Sequence, residues 1–172
     1  MNQTVIKDPK TVRKIVEAER KRSRLIDDKK LSSLKKAEVG SPVLILTPEG
    51  NPSYWLVPLL EKGFACGFVS VELSGRVSRL GIFGSAPEDS SSWIDGSFFE
   101  KPPPKMLFEI EAKYLGLTIS KPIFSYDANP SRWAWRVEIR DKDQIRSVVF
   151  MTPGGWYERA SETISPGSGN EL

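Results

Sequence analysis

The sequence predicts an α+β fold of two tandem repeats, each a helix plus an antiparallel β-meander, with a basic helical arm in front. Three observations carry that expectation. Asn51-Pro52-Ser53-Tyr54-Trp55 recurs as Asn129-Pro130-Ser131-Arg132-Trp133. A helix-like stretch and a proline-led apolar strand (Pro42 to Leu46, Pro122 to Tyr126) precede each copy, and a run of strands follows it. A period that long fits two copies of one supersecondary unit, each unable to cover its apolar face alone. The turns within each run are two or three residues long, which permits hairpins but no parallel crossovers.

The arm comes first, over residues 1–27. Residues 1–38 hold twelve Lys and Arg against six Asp and Glu, a net of +6, while the rest of the chain holds thirteen against sixteen, a net of −3. Asp8 before Pro9 is a helix start: aspartate accepts from free N–H groups and proline fits the first turn. Val12, Ile15 and Val16 form a short apolar stripe that fails at Glu19 and Ser23, amid Arg20, Lys21, Arg22 and Arg24. Helices with so little apolar surface are marginal alone. The arm is therefore expected to add little to stability, and removing residues 1–24 to leave the thermal midpoint nearly unchanged.

The first repeat is expected over residues 28–84. A short helix starts near Asp27 or Asp28, buries Leu31 and Leu34, and stops before Gly40 and Pro42. Val43 to Leu46 is an apolar strand, followed by the turn-forming Thr47-Pro48-Glu49-Gly50-Asn51-Pro52. Tyr54 to Leu60 places Trp55, Val57 and Leu59 on one side. Glu61-Lys62-Gly63 turns the chain into Phe64 to Leu73, and Ser74-Gly75 turns it into Arg76 to Phe83.

Residues 85–101 read as a connector loop. Such loops are disordered or functional, and Trp93, Phe98 and Phe99 argue against disorder. Either these aromatics fold back as a plug, or they stand out as the anchors of a partner site rimmed by Glu88, Asp89 and Asp95. The second repeat is expected over 102–159. Pro102-Pro103-Pro104 leads a helix from Lys105 to Leu115 with Leu107, Phe108, Ile110, Ala112 and Leu115 as its apolar face and Glu109 paired to Lys113. Trp133 to Arg140 alternates strictly, with Trp133, Trp135, Val137 and Ile139 on one face and a solvated polar face opposite. Asp141-Lys142-Asp143 turns into Ile145 to Met151, and Pro153-Gly154-Gly155 into Trp156-Tyr157. Residues 160–172, with Ser, Pro, Gly and Glu, are expected to form a flexible tail. Trp55 and Trp133 are expected to occupy equivalent core positions.

Composition narrows the chemistry. The sequence of 172 residues is 39 % hydrophobic and 27 % charged, a globular balance. Histidine is absent, which removes the commonest general base and metal ligand and every Ser-His-Asp or Cys-His nucleophile arrangement. Cys66, the one cysteine, lies between aromatic and small residues and is predicted to act as a small buried hydrophobe. A lone cysteine excludes an intrachain disulfide and a cysteine zinc site. No phosphate-cradling or dinucleotide glycine loop is present, and the serine of Gly81-Ile82-Phe83-Gly84-Ser85 has no histidine to activate it. Glu88, Asp89 and Asp95 match no calcium-loop spacing. Neither cofactor nor metal nor catalytic residue is predicted. The basic arm has no interleaved aromatics for base stacking, which disfavours nucleic acid. No run of eighteen apolar residues predicts a membrane span, and if Met1 is the natural start the chain is expected to be soluble and cytoplasmic.

The order helix, proline-led strand, Tyr54-Trp55-Leu56-Val57-Pro58, a turn at Lys62-Gly63 and a strand ending in Glu72-Leu73-Ser74-Gly75-Arg76-Val77 resembles the PepSY-type, cystatin-like units. In those units a helix packs across a curled antiparallel sheet. The resemblance covers about residues 28–84 and, less fully, 102–158, where Trp135-Arg136-Val137 replaces the Val-Pro element. It implies a noncatalytic module that binds or restrains a protein or peptide partner, sometimes a peptidase. Two other readings stand beside it: a hydrolase or transferase with a carboxylate site formed only by the fold, and a nucleic-acid contact through Arg20, Lys21, Arg22 and Arg24.

Overall fold

A computed structural model describes residues 5–22, 34, 37–83 and 92–160. The chain is of the α+β class and divides into two units, Met1–Lys101 and Pro102–Leu172.

The first unit opens with α1 (Pro9–Arg22). Asp8 caps it, Oδ1 accepting from the Lys10 N–H and Oδ2 from the Thr11 N–H and hydroxyl at 2.8–3.1 Å. The Thr11 hydroxyl and the two N–H groups hold the Asp8 carboxyl below the usual carboxylate range. The six strands that follow are β1 (Glu38–Val39), β2 (Val43–Leu46), β3 (Pro52–Glu61), β4 (Phe64–Glu72), β5 (Val77–Ile82) and β6 (Ile94–Asp95). They form one antiparallel sheet in the order β1-β3-β4-β5, with β2 also on β3 and β6 also on β4. The β3–β4 turn uses Lys62 at φ 52° and Gly63 at φ 86°, the left-handed pair that matches the twist of a two-residue hairpin.

The arm is not separate from this unit. Val12 and Val16 are fully buried among Trp55, Val57, Leu59, Cys66 and Val69. Ile6 adds main-chain anchors: its N–H donates to the Leu73 carbonyl at 2.7 Å, and its carbonyl accepts from Trp55 Nε1 at 3.0 Å. The two-turn stripe suffices because the sheet supplies the rest of the apolar surface. This packing argues against a dispensable arm, and the first unit includes residues well before 28. The helix expected near residue 28 lies outside the described residues apart from Leu34, which is 1 % exposed.

The connector also belongs to the first unit. It carries β6 and a one-turn helix, α2 (Ser97–Glu100), so it is no plain loop. Two-residue strands and single turns carry too little periodicity to be read in advance.

In the second unit, α3 (Pro104–Lys113) precedes β7 (Thr118–Ile119), β8 (Ile123–Tyr126), β9 (Trp133–Asp141), β10 (Gln144–Thr152) and β11 (Gly155–Ala160). Their order is β11-β10-β9-β7, with β8 also on β9. Ile110 is fully buried against Val137, Ile139, Val149 and Met151, with Met106, Leu107 and Tyr114 beside it. The helix face is thus narrower than expected: Phe108 is 71 % and Leu115 85 % exposed. Lys113 pairs with Glu158 at 2.9 Å rather than with Glu109, which accepts from Trp156 Nε1 at 3.0 Å. The side of β9 expected to meet water is buried over its first half, Ala134 being 1 % and Arg136 7 % exposed, and partly exposed over its second, at Glu138 and Arg140.

Strand pairing corrects one further expectation. Leu44 faces Trp55 and Phe124 faces Trp135, 80 positions later. Each hairpin also carries a bulge at the matching place, with Cys66 the extra residue in one and Arg146 in the other. Trp55 therefore corresponds to Trp135 in the ladder, not to Trp133. The repeated pentapeptides build unlike turns: Asn51 closes on Thr47, its carbonyl accepting at 2.7 Å, whereas Asn129 Oδ1 accepts from the Ser131 N–H and Trp133 Nε1 donates to the Pro130 carbonyl.

Candidate functional site

The first unit holds an apolar pocket of about 170 Å³ between α1 and β5. Val16 and Arg20 form its helix wall, Leu59 and Val69 lie on the sheet side, and Leu34 and Leu80 line it further. Gly67 lets Leu34 lie close against the sheet, because a Cβ there would stand 2.6 Å from both Leu34 Cδ2 and the Gly81 carbonyl. Arg20 follows Val16 by one turn, so it emerges on the same face of α1. Its Nη2 donates to the Leu34 carbonyl at 2.8 Å, and its Nε is buried without an acceptor. A wider, open groove of about 620 Å³ shares Glu19 and Val77 with the pocket and continues past Lys14, Ile15 and Gly75. Pocket and groove together follow the α1 side of β5.

The strand at this site is the last of its sheet path. The Phe83 N–H donates to the Cys66 carbonyl at 2.8 Å. Alternation along an antiparallel pair then makes Phe68·Gly81 and Ser70·Arg79 the hydrogen-bonded pairs. Leu80 and Ile82 occupy the other places, so their N–H and C=O groups turn away from β4 while their side chains pack towards the α1 core. Among the described residues no strand lies on that side.

The residues singled out from sequence are scattered. Arg20 lines the pocket and Lys21 is exposed; the side chain of Arg22 and all of Arg24 lie outside the described residues, as do Glu88 and Asp89. Asp95 is exposed, and its Oδ1 accepts from the Ser97 N–H at 2.9 Å. The Ser97 hydroxyl and N–H hold its carboxyl below the usual range. Trp93 packs on the first core, and Phe98 and Phe99 are 6 % and 1 % exposed with ring centroids 5.6 Å apart. These three aromatics do not stand out as anchors. Sequence reading missed the pocket itself, whose walls come from segments far apart in the chain and which carries no local motif.

Three carboxylates of the second unit have partners of their own. Asp127 is 3 % exposed, and its Oδ2 accepts from the Tyr157 hydroxyl and from Arg159 Nη2, each at 2.7 Å. Burial and the Asp127 charge push the Tyr157 hydroxyl up to about 12. Glu138 bridges Arg136 and Arg140 at 2.9 and 2.6 Å; burial acts to raise its carboxyl, but hydrogen bonds from the two guanidinium groups prevail and hold it low. The Tyr114 hydroxyl, the Lys113 ammonium and the Ser147 hydroxyl hold Glu158 down to about 2. The Tyr114 group acts through proximity, since it makes no hydrogen bond of good geometry. No three His, Cys, Asp or Glu side chains among the described residues gather as a metal site, and no helix there is long and apolar enough to cross a membrane.

Glu158 gives a pH prediction. A depressed carboxylate stabilises the fold above its unfolded value near 4.5, and that contribution is lost as pH falls towards its folded value near 2. The thermal midpoint of the second unit is expected to fall across this window. In Glu158→Gln the fall should be smaller. An equal fall in parent and variant assigns the acid sensitivity to other groups.

No family model, no curated protein and no solved structure matches this chain.

Proposed function

We propose that the chain is a noncatalytic binding module for a protein or peptide, made of two PepSY-like, cystatin-like repeats whose equivalent positions lie 80 residues apart. The pocket, beside a strand with no outer neighbour among the described residues, carries this reading. At about 170 Å³ it is smaller than the roughly 300–1,000 Å³ of sites that enclose a whole small molecule. It suits one apolar side chain projecting from a larger partner. The pairing of Asp127, Glu138 and Glu158 with cations and hydroxyls supports a structural role for the carboxylates over a hydrolytic one. On α1, Arg20 turns into the pocket wall and Arg13 pairs with Glu17 at 3.1 Å, which weakens the case for a phosphate-binding arm. Matching strand order and bulge position support the repeat.

Selection of a displayed library of short random peptides on the full chain tests the reading. Enriched sequences should bind in solution with saturable, micromolar affinity, and generic ester, phosphate and glycoside substrates should show no turnover. Absence of any saturable binder overturns the module, and turnover removed by a carboxylate substitution replaces it with an enzyme.

A further inference from the structure

We infer that the partner is held by its C-terminal residue: an apolar last side chain fills the pocket beside α1 while the terminal carboxylate pairs with Arg20 in the pocket wall. This rests on the binding-module reading and assigns its ligand. Val16, Leu34, Leu59, Val69 and Leu80 make the interior apolar, so a polar group entering it would lose its water without gaining a partner. The anchor is therefore an aliphatic side chain.

Arg20 supplies the second element of recognition. Its Nη2 donates to the neutral Leu34 carbonyl, its Nε is buried without an acceptor, and no carboxylate among the described residues pairs with it. A guanidinium so placed lacks the acceptor it binds best, a carboxylate. Glu19, the one acid on the pocket, is exposed and screened by water, and Arg79 is already engaged and adds no free charge. Val16 and Arg20 stand one helical turn apart on one face of α1, so apolar wall and cation are close together. An α-carboxylate leaves the same Cα as the anchoring side chain, and one residue supplies both groups at short range. In an extended segment the residue next to the anchor points away from the pocket, and the next side chain on the same face starts about 7 Å farther along. A chain end therefore fits the pair of features better than an internal acidic residue.

The probes are the peptide acetyl-Ser-Gly-Ser-Gly-Leu with a free C-terminus, the same peptide as its C-terminal amide, and isovalerate, each titrated into the full chain. The free acid should bind about tenfold tighter than the amide, the size expected for one hydrogen-bonded charge, and isovalerate should compete only at much higher concentration. Arg20→Met keeps an aliphatic stem in the wall and should bring acid and amide to the same affinity. Leu80→Trp fills the pocket and should remove the binding of both. Equal binding of acid and amide to the parent protein, or an acid preference that survives Arg20→Met, overturns the chain-end site and leaves the module standing. Isovalerate as potent as the peptide also overturns it, in favour of a free small acid. No saturable binding of the acid peptide sinks the site alone, whereas no binder in the displayed library removes the module as well. If either variant shifts the thermal midpoint, the acid-to-amide ratio on the parent protein decides.

Discussion

Deleting residues 1–22 is expected to abolish the cooperative thermal transition of the first unit. Val12 and Val16 are fully buried, and burial of a side chain of this size contributes about 1.5–3 kcal/mol. The deletion also removes the Ile6 carbonyl that accepts from Trp55 Nε1, and an orphaned buried donor costs about 1–3 kcal/mol. Together these approach the about 5–15 kcal/mol that holds a whole domain. Calorimetry of the full and shortened chains measures it, with Val12→Ala/Val16→Ala as a milder form that should lower the midpoint without unfolding the unit. An unchanged midpoint in the deletion would make α1 an accessory.

The second large effect is expected at the connector. Phe99→Ala removes a ring that is 1 % exposed, a change that costs about 3–5 kcal/mol in well-packed interiors. Serine at Trp93, Phe98 and Phe99 together should be worse, since it also adds hydroxyls where no partner is provided. Denaturant titration reads both. Full stability with lost peptide binding would instead make these rings contact residues that open on association.

Where local pattern decides the outcome, the sequence is a good guide. Val43 to Leu46 is a strand to the residue, and the turns at Lys62-Gly63 and Lys142-Asp143 fix both long hairpins. Trp135, Val137 and Ile139 share one packed face as alternation requires. Errors arise where the partner surface is remote. Periodicity alone could not show that the short stripe of α1 meets a sheet wide enough to bury it, or that Ala134 and Arg136 on the polar side of β9 are buried. Phe108 and Leu115 fit a helical apolar pattern yet face water, because Met106, Leu107 and Ile110 already cover the core. The repeated pentapeptide stands two residues out of register with the ladder positions that match, Leu44·Trp55 and Phe124·Trp135. As for the candidate site, only Arg20 was visible beforehand, and for its charge rather than its place in a wall.

The bulge at Cys66 has a consequence for oxidation chemistry. Its side chain is wholly buried, the Sγ donates to the Leu59 carbonyl at 3.3 Å, and burial pushes the thiol up to about 11. Oxidants and disulfide partners react with an accessible thiolate, and the folded chain offers neither access nor thiolate at neutral pH. The sequence holds no second cysteine to pair with it, so Cys66 is shielded from thiol–disulfide chemistry while the first unit is folded. Glutathionylation or a mixed disulfide at this residue would then mark molecules whose first unit had already opened.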